Sequence, residues 1–308
     1  MDDDGRAWLA LGRVAGIGPV VYRQLLQRFG EPATALGAAV PELVAAGLRP
    51  AVARAIARFD GWKEVDDQVA RLERCGATLL TWAEEGYPAR LRQIHDPPPV
   101  LFVRGRIVAD DDLAVAVVGS RAASAYGRKM ARELAAGLAG RGVTVVSGLA
   151  RGIDAAAHAA ALEAGGRTIA VLGSGVDVIY PGEHRALAAA IAERGAVVSE
   201  LAMGTRPDAE NFPGRNRLIS GLSRGVVVVE AAERSGSLIT ARVAADQGRD
   251  VFAVPGPVGV ASAGGHRLLR DGAKLTECAD DVLEEVCPRL LRESAGRSTF
   301  RPTPGEER

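Results

Sequence analysis

Apolar positions recur at two different periods along this chain, and the change of period divides it. From Ala7 to about Phe59 they follow helical spacing in short amphipathic stretches, interrupted at Gly16-Ile17-Gly18-Pro19, Gly30-Glu31-Pro32 and Gly47-Leu48-Arg49-Pro50. That pattern predicts a small bundle of helices over residues 1–62. A charged helix follows from Gly61 to Gly76, and then a β-like run from Ala77 to Trp82. After turns at Tyr87-Pro88 and Pro97-Pro98-Pro99, a second strand-like piece covers Val100 to Val103. Both strand-like pieces read as edge elements of a larger sheet domain occupying residues 63–288.

Five apolar runs form the body of that domain: Ala114 to Val118, Val143 to Val146, Ile169 to Leu172, Val226 to Val229 and Val251 to Val254. Runs without polar alternation are characteristic of strands covered on both faces. Alanine-rich helices lie between them, such as Ser124 to Ala139, Ile153 to Ala164 and Glu183 to Glu193. Short connections from strand to helix require right-handed crossovers and parallel strands. The fold class is therefore α/β, a doubly wound three-layer sheet preceded by a small all-helical domain. Residues 289–308 mix charge with Pro, Gly and Ser and have no apolar period, so a disordered tail is expected there.

Each run ends in a glycine-rich turn: Gly119-Ser120-Arg121, Ser147-Gly148-Leu149-Ala150-Arg151-Gly152, Gly173-Ser174-Gly175, Ser235-Gly236-Ser237 and Pro255-Gly256-Pro257. In a parallel sheet these turns gather along one rim, where open α/β sheets bind ligands. Backbone N–H groups, helix N-termini and the guanidinium groups of Arg121 and Arg151 would meet there, which describes an anion site and most simply a phosphate site. At any one turn, glycine can equally serve only to let the chain reverse tightly. The convergence of several favours a ligand.

Composition narrows the partners. Lys plus Arg total 38 and Asp plus Glu total 38, so no global field draws the chain to nucleic acid or membrane, and polyanion binding has to be local. Lys63, Lys129 and Lys274 are the only lysines; the arginine excess suits bidentate phosphate contacts and equally suits a compositional bias. Cys75, Cys278 and Cys287 are far apart and make no metal-ligand spacing, so neither a metal nor a disulfide framework is expected. The acidic start Met1-Asp2-Asp3-Asp4 leads into no apolar signal core and no run is long enough to span a membrane, so a cytoplasmic protein is expected.

The segment Asn211-Phe212-Pro213-Gly214-Arg215-Asn216-Arg217 stands apart. It carries two arginines, with Arg224 following, and no carboxylate; arginines track phosphates, Phe212 offers a stacking face and Asn216 can bond a base edge. The competing reading is a helix start with a solvated basic face, because Leu218, Ile219 and Leu222 have helical spacing. Asp154 is expected to cap its helix, His158 to pack among alanines, and Tyr180 to wall a pocket. Val14 to Phe29 resembles a helix-hairpin-helix, with a purely structural hairpin the preferred reading. Asp177, Glu200 and Glu230 lie near strand ends, which leaves a carboxylate-based hydrolytic site open. G-x-G-x-x-G and G-x-x-x-x-G-K-[ST] are both absent, against a nicotinamide oxidoreductase and a P-loop NTPase.

Taken in order, Gly119-Ser120-Arg121 with Tyr126-Gly127, Ser147 to Asp154 with His158, Gly173-Ser174-Gly175-Val176-Asp177 with Tyr180-Pro181, Phe212 to Gly221, and Ser235-Gly236-Ser237 with Thr240-Ala241 resemble the DNA-processing protein A (DprA/Smf) family over roughly residues 7–286. The resemblance implies an extended Rossmann-like domain after a sterile-alpha-motif-like helical one. It implies a homodimer that binds single-stranded DNA, protects incoming strands in natural transformation and helps load RecA, with no cofactor and no catalytic residue. Carried onto this chain, the nucleic-acid site comprises Gly119, Ser120, Arg121, Arg151, Gly173, Ser174, Gly175, Phe212, Arg215, Asn216, Arg217, Ser235, Gly236, Ser237 and Thr240. The winged-helix-like C-terminal domain of many relatives finds no counterpart in the polar tail. The alternative is a phosphoribohydrolase-like nucleotide enzyme, whose P-G-G-x-G-T-x-x-E pattern is missing at Pro255-Gly256-Pro257.

Overall fold

Proline marks where the first helices begin. Pro19, Pro32 and Pro50 each take the first helical position, where an absent N–H costs nothing. The computed structural model describes residues 1–291, and its N-terminal unit consists of α1 (Asp3–Arg13), α2 (Pro19–Phe29), α3 (Pro32–Gly37), α4 (Val40–Ala45) and α5 (Pro50–Ala57). Asp2 caps α1 by accepting from Gly5 N at 3.0 Å. The unit's core joins Leu11, Leu25, Leu43 and Ile56 around a stacked Trp8–Tyr22 pair with centroids 5.4 Å apart. The Tyr22 hydroxyl donates to Trp8 O at 3.0 Å, so the buried phenol is satisfied.

Helix α6 (Trp62–Cys75) ties this unit to the sheet. Leu9 and Ala10 of α1, Val65 and Leu72 of α6, and Phe102 and Met203 of the following domain form one apolar cluster. Gln68 crosses it with both ends bonded, accepting from Met203 N at 2.7 Å and donating to Met203 O at 3.2 Å.

The second domain runs β1 (Ala77–Thr81), α7 (Ala89–Arg92), β2 (Val100–Gly105), β3 (Ala114–Val118), α8 (Ala125–Ala139), β4 (Thr144–Ser147), α9 (Ile153–Glu163), β5 (Thr168–Val171), α10 (Arg185–Arg194) and β6 (Ala196–Ser199). It continues through α11 (Asn211–Gly221), β7 (Gly225–Val228), α12 (Gly236–Asp246), β8 (Asp250–Ala253), α13 (Ala263–Arg270), β9 (Lys274–Leu275) and α14 (Ala279–Val286). The nine strands are ordered β1-β2-β6-β5-β4-β3-β7-β8-β9. As expected, β1 and β2 form an antiparallel edge, and β6 through β9 are parallel. The five apolar runs coincide with β3, β4, β5, β7 and β8 to within a residue.

Side chains alternate between two cores. Val115 and Val117 of β3 meet α8, α9 and α14 on one face. Ala114, Ala116 and Val118 meet α7, α11 and α12 on the other. This is the doubly wound, three-layer fold that the pattern predicts. The helix expected over residues 183–193 starts at Arg185 because Gly182–His184 form a 3₁₀ turn. Leu290 and Leu291 still pack on the first core, so ordered chain passes the expected boundary at 288; the rest of the expected tail lies outside the described residues.

Chain order sets the ligand position. From β3 the chain steps outward through β4, β5 and β6, and then returns through α11 to place β7 on the other side of β3. The crevice between the C-terminal ends of β3 and β7 is therefore the switch point of the sheet.

His158, expected among packed alanines, is fully buried on α9. Thr168 Oγ1 donates to Val145 O at 2.6 Å, so it accepts from His158 Nδ1–H, also at 2.6 Å. Burial first, then the charges of His184 and Arg215, lower the pKa of His158 to about 3. The unfolded chain takes this proton near the ordinary histidine value and the folded chain does not, so between those two pH values the unfolded state binds more protons. Stability therefore falls on acidification, by at most about 1.4 kcal/mol per pH unit. Asp154 and Glu200, both raised by burial, act with the opposite sign. The difference between denaturation profiles of wild type and His158→Asn isolates the histidine; superimposable profiles from pH ~6.5 downward would refute it.

Candidate nucleic-acid interface

Gly119 closes β3 where no side chain fits: a Cβ there would lie 2.6 Å from Ile153 Cγ1 and 2.9 Å from Glu230 O. The turn that follows is clamped from both flanking strands. Ser120 N donates to Glu230 O at 2.8 Å, and Ile153 N donates to Ser120 O at 3.2 Å. The Glu230 carboxylate accepts from Ser124 N at 3.0 Å and from the Ser124 hydroxyl. Ser124 is also the N-cap of α8, so the end of β7 positions the turn after β3.

Phe212 stands in the first turn of α11. Its ring lies against Gly173, where a Cβ would come within 2.8 Å of Cδ1. The Arg121 and Arg215 guanidinium carbons are 4.9 and 5.8 Å from its centroid. Tyr180 is tilted beside it at 6.3 Å, walling the site as expected.

Arg215 is the buried member, with only 5% of its surface exposed. The guanidinium rests on Gly148, occupying the space a Cβ would fill, and Nη1 donates to Val171 O. Nε is buried without a hydrogen-bond partner. Asp154 accepts from Gly148 N at 3.1 Å and Ala150 N at 3.3 Å. It thus turns back to hold the loop after β4 instead of capping α9. Burial pulls the pKa of Arg215 down to about 10, with Arg121 adding to the fall and Asp154 opposing it. Arg215 remains a cation at neutral pH.

Across the crevice, Ser235 caps α12, its Oγ accepting from Ser237 N at 3.4 Å and lying 2.7 Å from Ser237 Oγ. The open side of Gly236 leaves the positive end of this 11-residue helix approachable. Asn216 Nδ2 donates to Gly236 O at 3.5 Å and joins α11 to α12.

Together these groups line a groove of about 850 Å³. Of the residues expected in the site, it contains Gly119, Ser120, Arg121, Phe212, Arg215, Asn216, Ser235, Gly236, Ser237 and Thr240. Asp154, Asp208 and Arg234 also line it; Arg234 adjoins the Ser235 turn, whereas Asp208 carries no motif.

Five expected residues fall outside. Gly173 supports Phe212 from behind. Ser174 is buried and donates to Val178 O at 2.7 Å, and at Gly175 a Cβ would press on Ala202 O at 2.8 Å. Arg151 is engaged by both oxygens of Glu183, at 2.7 and 2.8 Å. Arg217 pairs with Asp96 at 3.0 Å and Glu200 at 2.5 Å. Its charge is neutralised inside the fold, so its assignment to the site is corrected. Of the carboxylates near strand ends, Glu200 is held by Arg217 and Glu230 by Ser124. Asp177 is likewise structural, accepting from Gly204 N at 2.7 Å.

Among the described residues no group of three His, Cys, Asp or Glu side chains is placed to hold a metal ion, and no helix is long and apolar enough to cross a membrane.

A mainly parallel sheet with guanidinium groups, a helix N-terminus and an aromatic ring gathered at its switch point defines a Rossmann-like protein with an arginine-lined groove. Comparison with known proteins narrows the class. The chain belongs to the DNA-processing protein A family: the model of DNA recombination-mediator protein A matches residues 78–287, and that of the DprA-like N-terminal HHH domain matches residues 2–58. Protein Smf of Escherichia coli is 50% identical over 226 residues, covering 73% of this chain and 60% of that protein. A putative DNA processing protein DprA of Mycobacterium tuberculosis is 42% identical over 304 residues, covering 93% of this chain and 76% of the relative. The chain thus spans 60% of the length of the E. coli protein. The X-ray structure of DNA processing protein A from Streptococcus pneumoniae superposes with a TM-score of 0.79 at 39% identity, covering 92% of this chain and 99% of that one. The Helicobacter pylori protein, whose structure concerns its single-stranded DNA binding mode, gives 0.60 at 28% identity, covering 71% of this chain and 96% of that one.

Removing Arg217 leaves Asp96 and the largely buried Glu200 without a cation. Arg217→Ala should cost on the order of 3 kcal/mol in chemical denaturation, with any loss of DNA affinity following from the loss of fold. Full stability with lost binding would return Arg217 to the site.

Proposed function

We propose that this chain is a single-stranded-DNA-binding recombination mediator, which protects incoming strands in natural transformation and helps RecA load onto them. The observation that carries the binding role is Arg215, buried at the floor of the groove with no carboxylate at ion-pair distance among the described residues, under a rim that presents Arg121, Arg234 and the α12 N-terminus. A phosphodiester there gains hydrogen bonds and compensates a desolvated cation. The Phe212 ring adds a face on which an unpaired base can stack, which suits a single strand better than a duplex.

RecA as partner, the homodimer and a cytoplasmic location come from the family resemblance. Two copies would set two grooves on one strand, and the resulting effective concentration would turn modest contacts into tight binding. The role on this reading is non-enzymatic, and it is supported by the use of Glu200 and Glu230 as structural ties.

Arg121→Ala should weaken binding of every single-stranded sequence alike and lower the salt slope of log K by about 0.7, because a phosphate contact carries no base information. Gel shifts of single strands, duplexes and mononucleotides over a salt series measure this; an unchanged affinity removes Arg121 from the site. Release of free base from a mononucleotide would instead establish a hydrolase. Phe212→Ala should cost about 1–3 kcal/mol of affinity with the salt slope nearly constant. A lowered melting temperature with binding intact would make the ring a core residue only.

A further inference from the structure

The charge of this chain is balanced overall but not locally. Residues 13–63 carry seven cationic side chains, Arg13, Arg23, Arg28, Arg49, Arg54, Arg58 and Lys63, against the three carboxylates Glu31, Glu42 and Asp60. Elsewhere in the chain many such charges are paired, as in Arg6–Asp66 beside this segment at 2.6 Å. Among the described residues no carboxylate oxygen comes within ion-pair distance of any of the seven. The helical unit therefore presents free positive charge that the fold does not use.

Three of these cations converge. Arg13 at the end of α1, Arg58 after α5 and Lys63 at the start of α6 line a groove of about 470 Å³, with Asp60 and Glu64 on its wall. Arg54 stands one turn before Arg58 on the exposed side of α5. Beside the groove Trp62 is 40% exposed, held upright by an edge contact with Phe59 at 5.4 Å and 83°. An indole kept at the surface beside unpaired guanidinium groups is the combination that holds an unpaired nucleotide, through its phosphate and its base together.

We infer that the N-terminal helical unit is a second single-stranded-DNA contact surface, with Arg13, Arg58 and Lys63 taking phosphates and Trp62 stacking on a base. The inference rests on the reading of this chain as a single-strand binder, but on none of the residues of the switch-point groove. It does not use the glycine hairpin before α2 as an anion site. Gly16 there is pressed against the Val52 side chain, which lies 2.9 Å from the place of a Cβ, and the hairpin packs as a structural turn.

Tryptophan fluorescence reads the surface directly. Trp8 is 3% exposed and Trp82 is partly buried, so quenching by an added strand reports Trp62. Titration of the full chain with a thymidine oligonucleotide of about 60 nucleotides should quench the emission, and Trp62→Phe should abolish that change. The triple variant Arg13→Ala, Arg58→Ala, Lys63→Ala should melt like wild type, because all three side chains are exposed. Its salt slope for the long strand should be lower by about 2. A strand of about 6 nucleotides, short enough for the switch-point groove alone, should bind the triple variant as it binds wild type. Unchanged emission at DNA concentrations that complete the gel shift would overturn the inference, as would equal quenching by a duplex. The two readings fail separately: quenching that survives while Arg121→Ala has no effect supports this surface and removes the groove.

Discussion

A buried guanidinium that no carboxylate pairs at salt-bridge distance is the constraint around which this site is arranged. Arg215 is removed from water, spends one donor on the Val171 carbonyl and, among the described residues, has no carboxylate within ion-pair distance. Such a charge is costly unless its surroundings compensate it. Compensation comes in parts: a carbonyl at the end of β5, the more distant Asp154, and the electron-rich face of Phe212. Each part dictates something else. Gly148 has to be glycine for the guanidinium to lie on it, and Gly173 has to be glycine for the ring to lie flat. Asp154 has to face the loop and not its own helix. The remaining deficit faces the groove, where only a ligand can meet it.

Helix geometry explains which parts of the site were legible in the sequence. The strands and their order of appearance follow from apolar runs between alanine-rich helices, and the rim follows from the turns. The segment after Asn211 carries a basic, aromatic signature, but sequence proximity alone does not sort its members. On a helix, residues two apart point about 200° from each other. Once α11 begins at Asn211, Phe212, Arg215, Asn216 and Ile219 share the face that lines the groove, and Arg217 must look away from it. Its partners Asp96 and Glu200 come from the loop before β2 and from the end of β6, and no local pattern announces that meeting. Arg151 poses the same problem, since Glu183 lies a helix, a strand and a loop further along the chain.

Ion pairing of this kind also accounts for how a chain of zero net charge can address a polyanion. Arg167 with Asp111, Arg217 with Asp96 and Glu200, and Arg224 with Asp112 consume cations in joining elements to one another. Among the guanidinium groups not spent in this way, Arg121, Arg215 and Arg234 stand at the switch point, and Arg13 and Arg58 on the helical unit. Long-range attraction is then absent, and binding depends on short-range contacts made within a Debye length. On the proposed reading, salt acts through the few phosphates actually touched, affinity per groove is modest, and tight binding depends on the number of surfaces engaged.

That dependence on number gives the junction between the two units a mechanical role. A strand reaching two surfaces gains from the second only if their separation is held, because a freely swinging unit dilutes the effective concentration of its own site. Here the helical unit is held by an apolar cluster shared among α1, α6, β2 and Met203, and by Gln68 bonded at both ends to the Met203 backbone. Met203 belongs to the connection from β6 to α11, the same connection that leads into Phe212 and Arg215. The segment that anchors the helical unit is thus continuous with the one that carries the groove's ring and its buried cation. Loosening the junction would disturb both surfaces together, which is a physical reason for the bundle to be docked on the sheet and not tethered to it.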